Sequence, residues 1–348
     1  MEKGNRIRVY WIDLLKAGGM FLVILGHAAS SITLKKMIYS FHMPLFFIVS
    51  GYTWRIRKEV NLKEFVERRV TGLIIPYFVI NLVFIPIWSF LVSIGKAPKQ
   101  SLLETIIGII YGNNLGSYNS TVTVTWFLLT LFISEIIFYL VCKYSRNEKW
   151  KFCLVSIIAS VGFIFSVIAP ETHLMWHFDV ALVGCSLIYI GDLFMVNADK
   201  LKNIIQKKGL TITIVIIMAI VCLGIAYVNR RVSLVAHRYG NVLYFYSAAV
   251  GLTTAGALLS MLFPRVKMLE NVGKNTLLYL AIHDVTISIV YYYLPAIQKS
   301  VLYYTSFSVI LFLALIPVCY VINKLLGFLK AQKLEQKLLN SIFHKSIN

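Results

Sequence analysis

Residues 210–228 read LTITIVIIMAIVCLGIAYV, an apolar run without a single charged side chain. A transmembrane helix needs about 20 consecutive, mostly apolar residues to cross the hydrocarbon core of a bilayer. This run therefore predicts a membrane-spanning helix, and similar runs recur along the whole chain. We predict ten spans, at about residues 11–30, 37–54, 72–94, 122–142, 152–169, 176–196, 210–228, 242–263, 276–295 and 301–323.

The composition of the whole chain supports the same interpretation. Of its 348 residues, 58% are hydrophobic and 14% are charged, and the mean hydropathy is +0.75. A soluble globular protein carries about 25% charged residues, so the composition argues against soluble domains, disorder and collagen. The five cysteines lie in or beside apolar segments, and we expect free thiols. The predicted fold is all-α: a polytopic membrane helical bundle with about ten transmembrane helices.

The net charge of +19 is distributed unevenly about the predicted membrane. The N-terminal segment, alternate loops and the C-terminal tail hold 25 of the 34 Lys and Arg residues, the opposite loops hold eight, and Lys16 lies within a span. Loops rich in Lys and Arg stay in the cytoplasm, so both termini are predicted to be cytoplasmic. The basic excess is mostly a signal of topology, with a lesser role in binding anionic membrane lipids or ligands, and we expect no nucleic-acid partner.

The chain divides into a transmembrane domain, residues 1–323, and a cytoplasmic tail, residues 324–348. Leucines alternate with lysines in the tail, which is typical of an amphipathic helix that lies on the inner membrane surface. The sequence predicts no oligomeric state.

Three polar side chains lie near one face of the first predicted span. Lys16 and His27 are eleven residues apart, which at 100° per residue brings them within about 20° of the same face and about 16 Å apart along the axis. Asp13, one turn before Lys16, can pair with its ammonium group. Because a charge in hydrocarbon costs at least about 2.5–3.5 kcal/mol, we interpret this stripe as an internal polar path. The alternative is an interfacial Asp13–Lys16 pair and a His27 hydrogen-bonded in a packed bundle.

Further titratable groups are predicted at the outer ends of other spans. His42 begins the second span from outside, His177 and Asp179 begin the sixth, and His27 ends the first on that side. These four groups could converge at one depth. A histidine beside a carboxylate is the usual arrangement of a general base. Zinc is the competing interpretation, but no HxxxH or Cys/His spacing supports it, and we predict neither a metal nor a bound cofactor.

Two other groups of polar residues each leave two interpretations open. The cytoplasmic segment after the second span carries Arg55, Arg57, Arg68 and Arg69. These side chains suit either phosphate binding by charge-assisted hydrogen bonds or a surface loop that fixes topology. Polar residues within other spans are Asn81, Glu135, His283 and Asp284. Each suggests either the lining of a cavity or a hydrogen bond between helices.

Several stretches resemble the acyltransferase-3 family of integral membrane O-acyltransferases, especially its short polysaccharide and fucose-type O-acetylase-like members. Lys16, ten intervening residues and His27 match the family's Arg/Lys-x10-His signature, and residues 41–52 (FHMPLFFIVSGY) match its second-helix motif. Residues 68–77, 125–128 and 273–283 resemble its later motifs. The resemblance covers essentially the whole chain. Arg is commoner in the family where this chain has Lys16, which lacks the planar fork that binds an anion at two points.

The resemblance implies transfer of an acyl group, usually acetyl, from cytoplasmic acyl-CoA to a hydroxyl of a cell-surface glycan outside the bacterial plasma membrane. It assigns His27 as general base or transient acyl acceptor. Lys16, paired with Asp13, would position the donor, and Arg68 and Arg69 would meet the CoA phosphates. Further substrate-binding residues would be Phe41, His42, Pro44, Ser50, Trp126, His177, Asp179 and His283.

Other functions and the choice of acceptor stay open. A transporter or flippase also fits buried charges and many spans, although corresponding broken helices are not evident. A sensing or delivery module is a third possibility, although the sequence carries no partner domain. The outer loops 95–121 and 229–241 are expected to select the acceptor, and the arginines of the second, Arg230, Arg231 and Arg238, hint at an anionic glycan.

Overall fold

The computed structural model describes residues 9–54, 61–95, 97, 99–112, 119–198 and 205–345, with side chains described as far as residue 325. Within these ranges all regular secondary structure is helical, apart from one isolated bridge between Ser233 and Arg238. The α-helices are α1 (Tyr10–Ala28), α2 (Ile32–Tyr39), α3 (His42–Tyr52), α4 (Leu62–Arg69), α5 (Ile75–Val83), α6 (Ile85–Ser93), α7 (Leu102–Tyr111), α8 (Trp126–Tyr144), α9 (Glu148–Ile168), α10 (Phe178–Val196), α11 (Lys208–Val228), α12 (Val242–Leu262), α13 (Lys267–Lys274), α14 (Thr276–Tyr293) and α15 (Val301–Lys345).

The predicted all-α polytopic bundle is confirmed. Among the described residues, eight helical segments are long and apolar enough to cross a membrane, and they coincide with eight of the ten predicted spans. These segments are α1, α2 with α3, α8, α9, α10, α11, α12 and the first part of α15. The count of ten and the cytoplasmic location of both termini stay predictions.

The two remaining predicted spans are helical, but one is bent and the other is less apolar than the eight. The span predicted at 72–94 lies in a helical pair, Leu62–Val83 and α6, which bends by 46°. Pro86 at the start of α6 explains the bend, because a proline cannot donate the backbone hydrogen bond that would continue α5. The span predicted at 276–295 corresponds to α14, whose mean hydropathy is lowered by His283 and Asp284.

Helix α1 lies at the centre of the bundle. It contacts α3, α12, α13, α14 and α15. In α1, α8 and α10, 67% of the most apolar window is buried, against 22% in α9 and α11. The polar stripe of α1 therefore faces protein, while α9 and α11 present apolar side chains outward, as lipid-facing helices do.

Two glycines bring α3 and α10 into close contact. A Cβ atom on Gly51 would lie 1.8 Å from the carbonyl oxygen of Ile188, and one on Gly191 would lie 1.9 Å from that of Ile48. Small residues at such crossings let helix backbones approach in a membrane, where packing drives association. This contact fixes α3, and with it the residues of the second-helix motif.

The C-terminal helix continues past the boundary predicted at residue 323. Helix α15 runs without interruption from Val301 to Lys345 and includes Pro317. Side chains beyond residue 325 lie outside those described, so the amphipathic surface helix stays a prediction. All five cysteines are free, as expected.

Candidate active site

Two neighbouring cavities lie along the polar stripe of α1. The inner cavity, about 680 Å³, is lined by apolar side chains and by polar ones that include Asp13, Lys16, Ser50, Arg69 and Glu135. The outer chamber, about 100 Å³, is lined by residues that include His27, Tyr39, His42 and Trp126. The stripe predicted from residue spacing is therefore a lining of internal space.

The charges of the inner cavity are arranged as two ion pairs. The Lys16 ammonium lies 2.9 Å from the carboxylate of Asp13, whose side chain is buried. Arg69 Nε lies 2.6 Å from Glu135 Oε2, and the Ser50 hydroxyl donates a hydrogen bond to Glu135 Oε1. Each cation is thus paired with a carboxylate, and this pairing offsets the desolvation cost of the charges in a mostly apolar cavity.

Only one of the two predicted donor-side arginines reaches this cavity. Arg69 ends α4, immediately before a π-helical turn at Val70–Ile74 that leads into α5. Arg68, one residue earlier, is rotated away by about 100° and pairs with Glu64 at the surface. Arg55 and Arg57 lie outside the described residues.

A histidine that lines the outer chamber lies close to a carboxylate. His27, near the end of α1, has its Nδ1 atom 3.4 Å from Asp284 Oδ1 on α14. The hydroxyl of Thr123 donates a 3.2 Å hydrogen bond to the other oxygen, Oδ2. The His283 ring stands edge-on to the His27 ring at 5.2 Å. Such a carboxylate can orient an imidazole so that its second nitrogen acts as a base or nucleophile.

Two further histidines next to His27 have a defined tautomer. The Nδ1 atoms of His42 and His283 lie 2.8 Å from the backbone oxygens of Ile38 and Tyr279, respectively. A ring nitrogen that faces a carbonyl oxygen must be the donor, so Nε2 is left as the acceptor in a neutral ring. These rings can therefore accept a hydrogen bond from a hydroxyl group on the side away from the backbone.

A hydrogen-bond network supports the turn that carries Thr123. Asn81 donates to the Thr125 hydroxyl at 3.0 Å and accepts from the backbone N–H of Val122 at 3.0 Å. The Thr121 hydroxyl also donates to Asn81. Asn81 is thus a hydrogen-bonded link between helices, one of the two roles predicted for it. It supports the turn whose Thr123 contacts Asp284.

His177 and Asp179 do not join His27. His177 is buried behind Trp126, with ring centroids 5.4 Å apart. Asp179 lies in a separate cluster, where His237 places Nδ1 2.5 Å from Asp179 Oδ2 and Nε2 2.9 Å from the Pro170 oxygen. The expected convergence of four groups is therefore replaced by His27, His42, His283 and Asp284, because the start of α10 lies on the far side of the Trp126 side chain.

This second cluster includes the one group of potential metal ligands among the described residues. Ligand atoms of His173, Asp179 and His237 lie within 4.8 Å of one another. Both ring nitrogens of His237 already lie within hydrogen-bond distance of oxygen atoms, Asp179 Oδ2 and the Pro170 backbone oxygen. The arrangement ties the 229–241 loop to α10, and the expectation of no metal stays a prediction.

An apolar wall separates the two cavities. Val23, Met43 and Leu280 line both the inner cavity and the outer chamber. They come from α1, α3 and α14, the three helices that also carry His27, His42 and His283. A molecule that passed from the Lys16 region to His27 would cross between these three side chains.

The other predicted residues of the second-helix motif have structural positions. Phe41 precedes α3 and Pro44 is buried in its first turn, and neither lines the two cavities. Prolines are well tolerated there because the first helical N–H groups have no partner within the helix. Ser50, by contrast, reaches the inner cavity.

Sequence reasoning missed two features of the chamber. The sequence marks Asp284 only as a polar residue within a span, and its contact with His27 joins residues 257 positions apart. Tyr39 contacts both His27 and His42, with ring centroids 6.5 and 4.9 Å away, respectively. No periodic pattern marks Tyr39, since tyrosines are frequent at the ends of membrane helices.

A family model described as an acyltransferase domain, of the acyltransferase-3 type, matches residues 9–324. Comparisons with curated proteins and with solved structures give no match. The matched region includes every helix that contributes to the two cavities.

Proposed function

The chain belongs to the acyltransferase-3 family, and we propose that it transfers an acyl group, in the first instance acetyl, from cytoplasmic acyl-CoA to a hydroxyl of an extracytoplasmic cell-surface glycan. The proposed location is the bacterial plasma membrane. The observation that carries the proposal is the His27–Asp284 pair. His27 lines a chamber that only an apolar wall separates from a cavity large enough for a long ligand arm.

The inner cavity suits the uncharged part of the donor. Lys16 and Arg69 are each neutralised by a carboxylate inside it, which leaves little net charge for a phosphate. The pantetheine arm and the acyl group are largely uncharged and fit a mostly apolar lining. The CoA phosphates would then stay at the mouth, where Arg68 is exposed.

The chemistry proposed for the outer chamber is a direct transfer. Asp284 holds Nδ1 of His27, and Nε2 takes the proton of the acceptor hydroxyl. The hydroxyl oxygen forms a bond to the thioester carbonyl carbon, the carbon–sulfur bond breaks, and the proton passes from His27 to the departing CoA thiolate. In the second form of the proposal, His27 Nε2 itself carries the acyl group between donor and acceptor.

The test uses purified protein in nanodiscs with acetyl-CoA that is radiolabelled in the acetyl group. Wild type, His27→Gln and His173→Gln are compared for CoA release and for label on the protein, with and without glycan. His173 belongs to the separate cluster and serves as the histidine control. We expect CoA release that is lost in His27→Gln and kept in His173→Gln, with equal thermal unfolding midpoints for the folded variants.

The same experiment distinguishes the proposed acyltransferase from a transporter. If wild-type protein neither binds nor cleaves acetyl-CoA, the donor side of the proposal is wrong. Uptake of labelled small molecules into proteoliposomes would then be the next measurement. Label that stays on wild-type protein but not on His27→Gln would favour the acylated-histidine form.

A further inference from the structure

Arg231 lies beside the outer chamber, and we call Arg231 and its basic neighbours Lys35 and Arg230 the basic rim. The Arg231 guanidinium carbon lies 5.0 Å from the centre of the Tyr39 ring. Tyr39 lines the outer chamber beside His27 and His42. The cation is therefore one aromatic ring away from the proposed reacting histidine.

The loop that carries Arg231 is part of the chamber wall. Ser233, Leu234 and Val235 line the chamber directly. The loop is held in place from within, because Val232 is buried and Asn229 Oδ1 accepts hydrogen bonds from the backbone N–H groups of Arg230 and Asn241. Arg231 thus extends from a fixed segment, which favours a binding role over a mobile surface charge.

The acidic side chains of this side of the molecule are engaged elsewhere. Glu104 caps its own helix, Glu171 pairs with Arg238, Asp179 pairs with His237 and Asp284 faces His27. Among the described residues, none forms an ion pair with Lys35, Arg230 or Arg231. Lys35 and Arg231 lie close enough for their charges to repel. A group of like charges that forms no ion pair within the described ranges, next to a chamber, is suited to an anion.

From this arrangement we infer that the acceptor glycan carries an anionic group, a carboxylate or a phosphate, close to the hydroxyl that receives the acyl group, and that Arg231 binds it. The inference rests on the proposed function for the identity of the chamber. It also separates two arginines that the sequence alone leaves equivalent: Arg238 in the same loop is paired with Glu171, whereas Arg231 faces the chamber through Tyr39.

The test compares an acidic glycan with its neutral counterpart. Protein in nanodiscs of phosphatidylcholine is given an oligogalacturonide, its methyl ester, or a glycerol-phosphate oligomer. Equilibrium binding is measured without acetyl-CoA, and acetyl transfer is measured with it. We expect wild type to prefer at least one anionic oligomer to the neutral ester by about tenfold, since one charge-assisted hydrogen bond contributes about that much.

Three variants identify the residue responsible. Arg231→Gln should lose the preference for the anion, Arg231→Lys should keep part of it, and Arg238→Gln, which removes the same charge from the same loop, should keep it. CoA release without glycan should stay at the wild-type level in Arg238→Gln. The preference should also weaken as salt is raised, because exposed charges are screened.

Two results would overturn the inference. One is equal affinity of wild type for the ester and both anionic oligomers, and the other is equal loss in Arg231→Gln and Arg238→Gln. If Arg231→Gln alters only binding to vesicles that contain phosphatidylglycerol, the rim contacts lipid headgroups instead. Glycan binding is measured without acetyl-CoA. Failure of the protein to cleave acetyl-CoA would therefore disprove the proposed function, while the binding measurement would still show whether Arg231 binds the anionic group.

Discussion

The carboxylate of Asp284 has a different partner at each oxygen. Oδ1 faces His27 and Oδ2 accepts from Thr123, which is itself held by a turn bonded to Asn81. A carboxylate fixed in this way can select the tautomer of the histidine it faces, with the proton on Nδ1 and the lone pair on Nε2. Asp284 is therefore a positioning residue for His27.

Asp284→Asn should reduce kcat by up to about 10²-fold, the lower end of the range for loss of a general base, because His27 stays but loses its orientation and charge partner. KM for acetyl-CoA should change little, since Asp284 does not line the inner cavity. Steady-state kinetics measure both values. Thr123→Val should give a smaller fall, and unaltered kcat in Asp284→Asn would contradict the positioning role.

The candidate site was predictable where its residues share a helix. Lys16 and His27 are joined by a fixed rotation of α1, so their common face follows from counting. His27 and Asp284 come from opposite ends of the chain, and only the packing of α1 on α14 brings them together. The sequence predicts His177 and Asp179 beside His27 because they begin a span on the same side of the membrane. Equal depth in the membrane, however, does not determine where a residue lies around the bundle axis.

At the scale of elements, the short helix α13 packs closely on the start of α1. A Cβ atom on Gly273 would lie 1.9 Å from the backbone oxygen of Asp13. The absence of a side chain at this position lets α13 lie against the residue that pairs with Lys16. The position of α13 and the geometry of the inner cavity are thus coupled.

Gly273→Ala should destabilise the protein by about 1–3 kcal/mol, the usual cost of overpacking, and should weaken acetyl-CoA binding by displacing Asp13 and Lys16. Gly18→Ala is the matched control in α1, since a Cβ atom there meets nothing within 4 Å. Thermal unfolding in nanodiscs and acetyl-CoA titration test both variants. Equal behaviour of the two would show that the close contact is unimportant.

Helix α13 also contains a carboxylate with two cationic partners. Glu270 accepts two hydrogen bonds from Arg265 and one from Lys274, and these partners lower its pKa to about 2. A carboxyl group whose pKa is depressed on folding adds stability that is complete above its ordinary pKa of 4.5 and is lost as the pH falls toward 2.

Glu270→Gln should therefore unfold at a lower temperature than wild type at pH 7, and the difference should shrink as the pH is lowered from 4.5 toward 2. Unfolding midpoints across this pH series measure the effect. Glu64→Gln removes a carboxylate from an exposed pair with Arg68 and should show little difference at any pH. A gap between Glu270→Gln and wild type that persists at the lowest pH would contradict this origin.

For the whole molecule, the alternation of basic loops predicts the orientation of the bundle. The inner cavity would open toward the side with 25 Lys and Arg residues and the outer chamber toward the side with eight. The proposed donor and acceptor would then meet from opposite sides of the membrane.

A fluorescent protein fused after Asn348 should be fluorescent, and alkaline phosphatase inserted in the loop near Lys99 should be active, since the two positions are predicted on opposite sides. Colony fluorescence and phosphatase assays measure the two fusions. The opposite pattern would reverse the proposed roles of the cavities.

The class of the fold was predictable because long apolar runs have one stable solution in a bilayer, the helix. The bounds of eight predicted spans lie within a few residues of the bounds of the helices that are long and apolar enough to cross a membrane. The other two spans were less predictable. Pro86 bends one predicted span, and the polar residues His283 and Asp284 lower the mean hydropathy of α14. The composition of a segment predicts that it spans the membrane, whereas bends and polar contacts depend on the neighbours of each residue in the folded protein.

The apolar wall of Val23, Met43 and Leu280 has an electrical consequence. Water-lined space on both sides of a membrane protein would conduct protons if it were continuous, whereas a narrow hydrophobic constriction stays dry and blocks ions. The wall would therefore let the protein span an energised membrane without dissipating its potential. Val23→Ser should raise the proton conductance of proteoliposomes, measured with a pH-sensitive dye, and Gly18→Ala should leave it at the wild-type level.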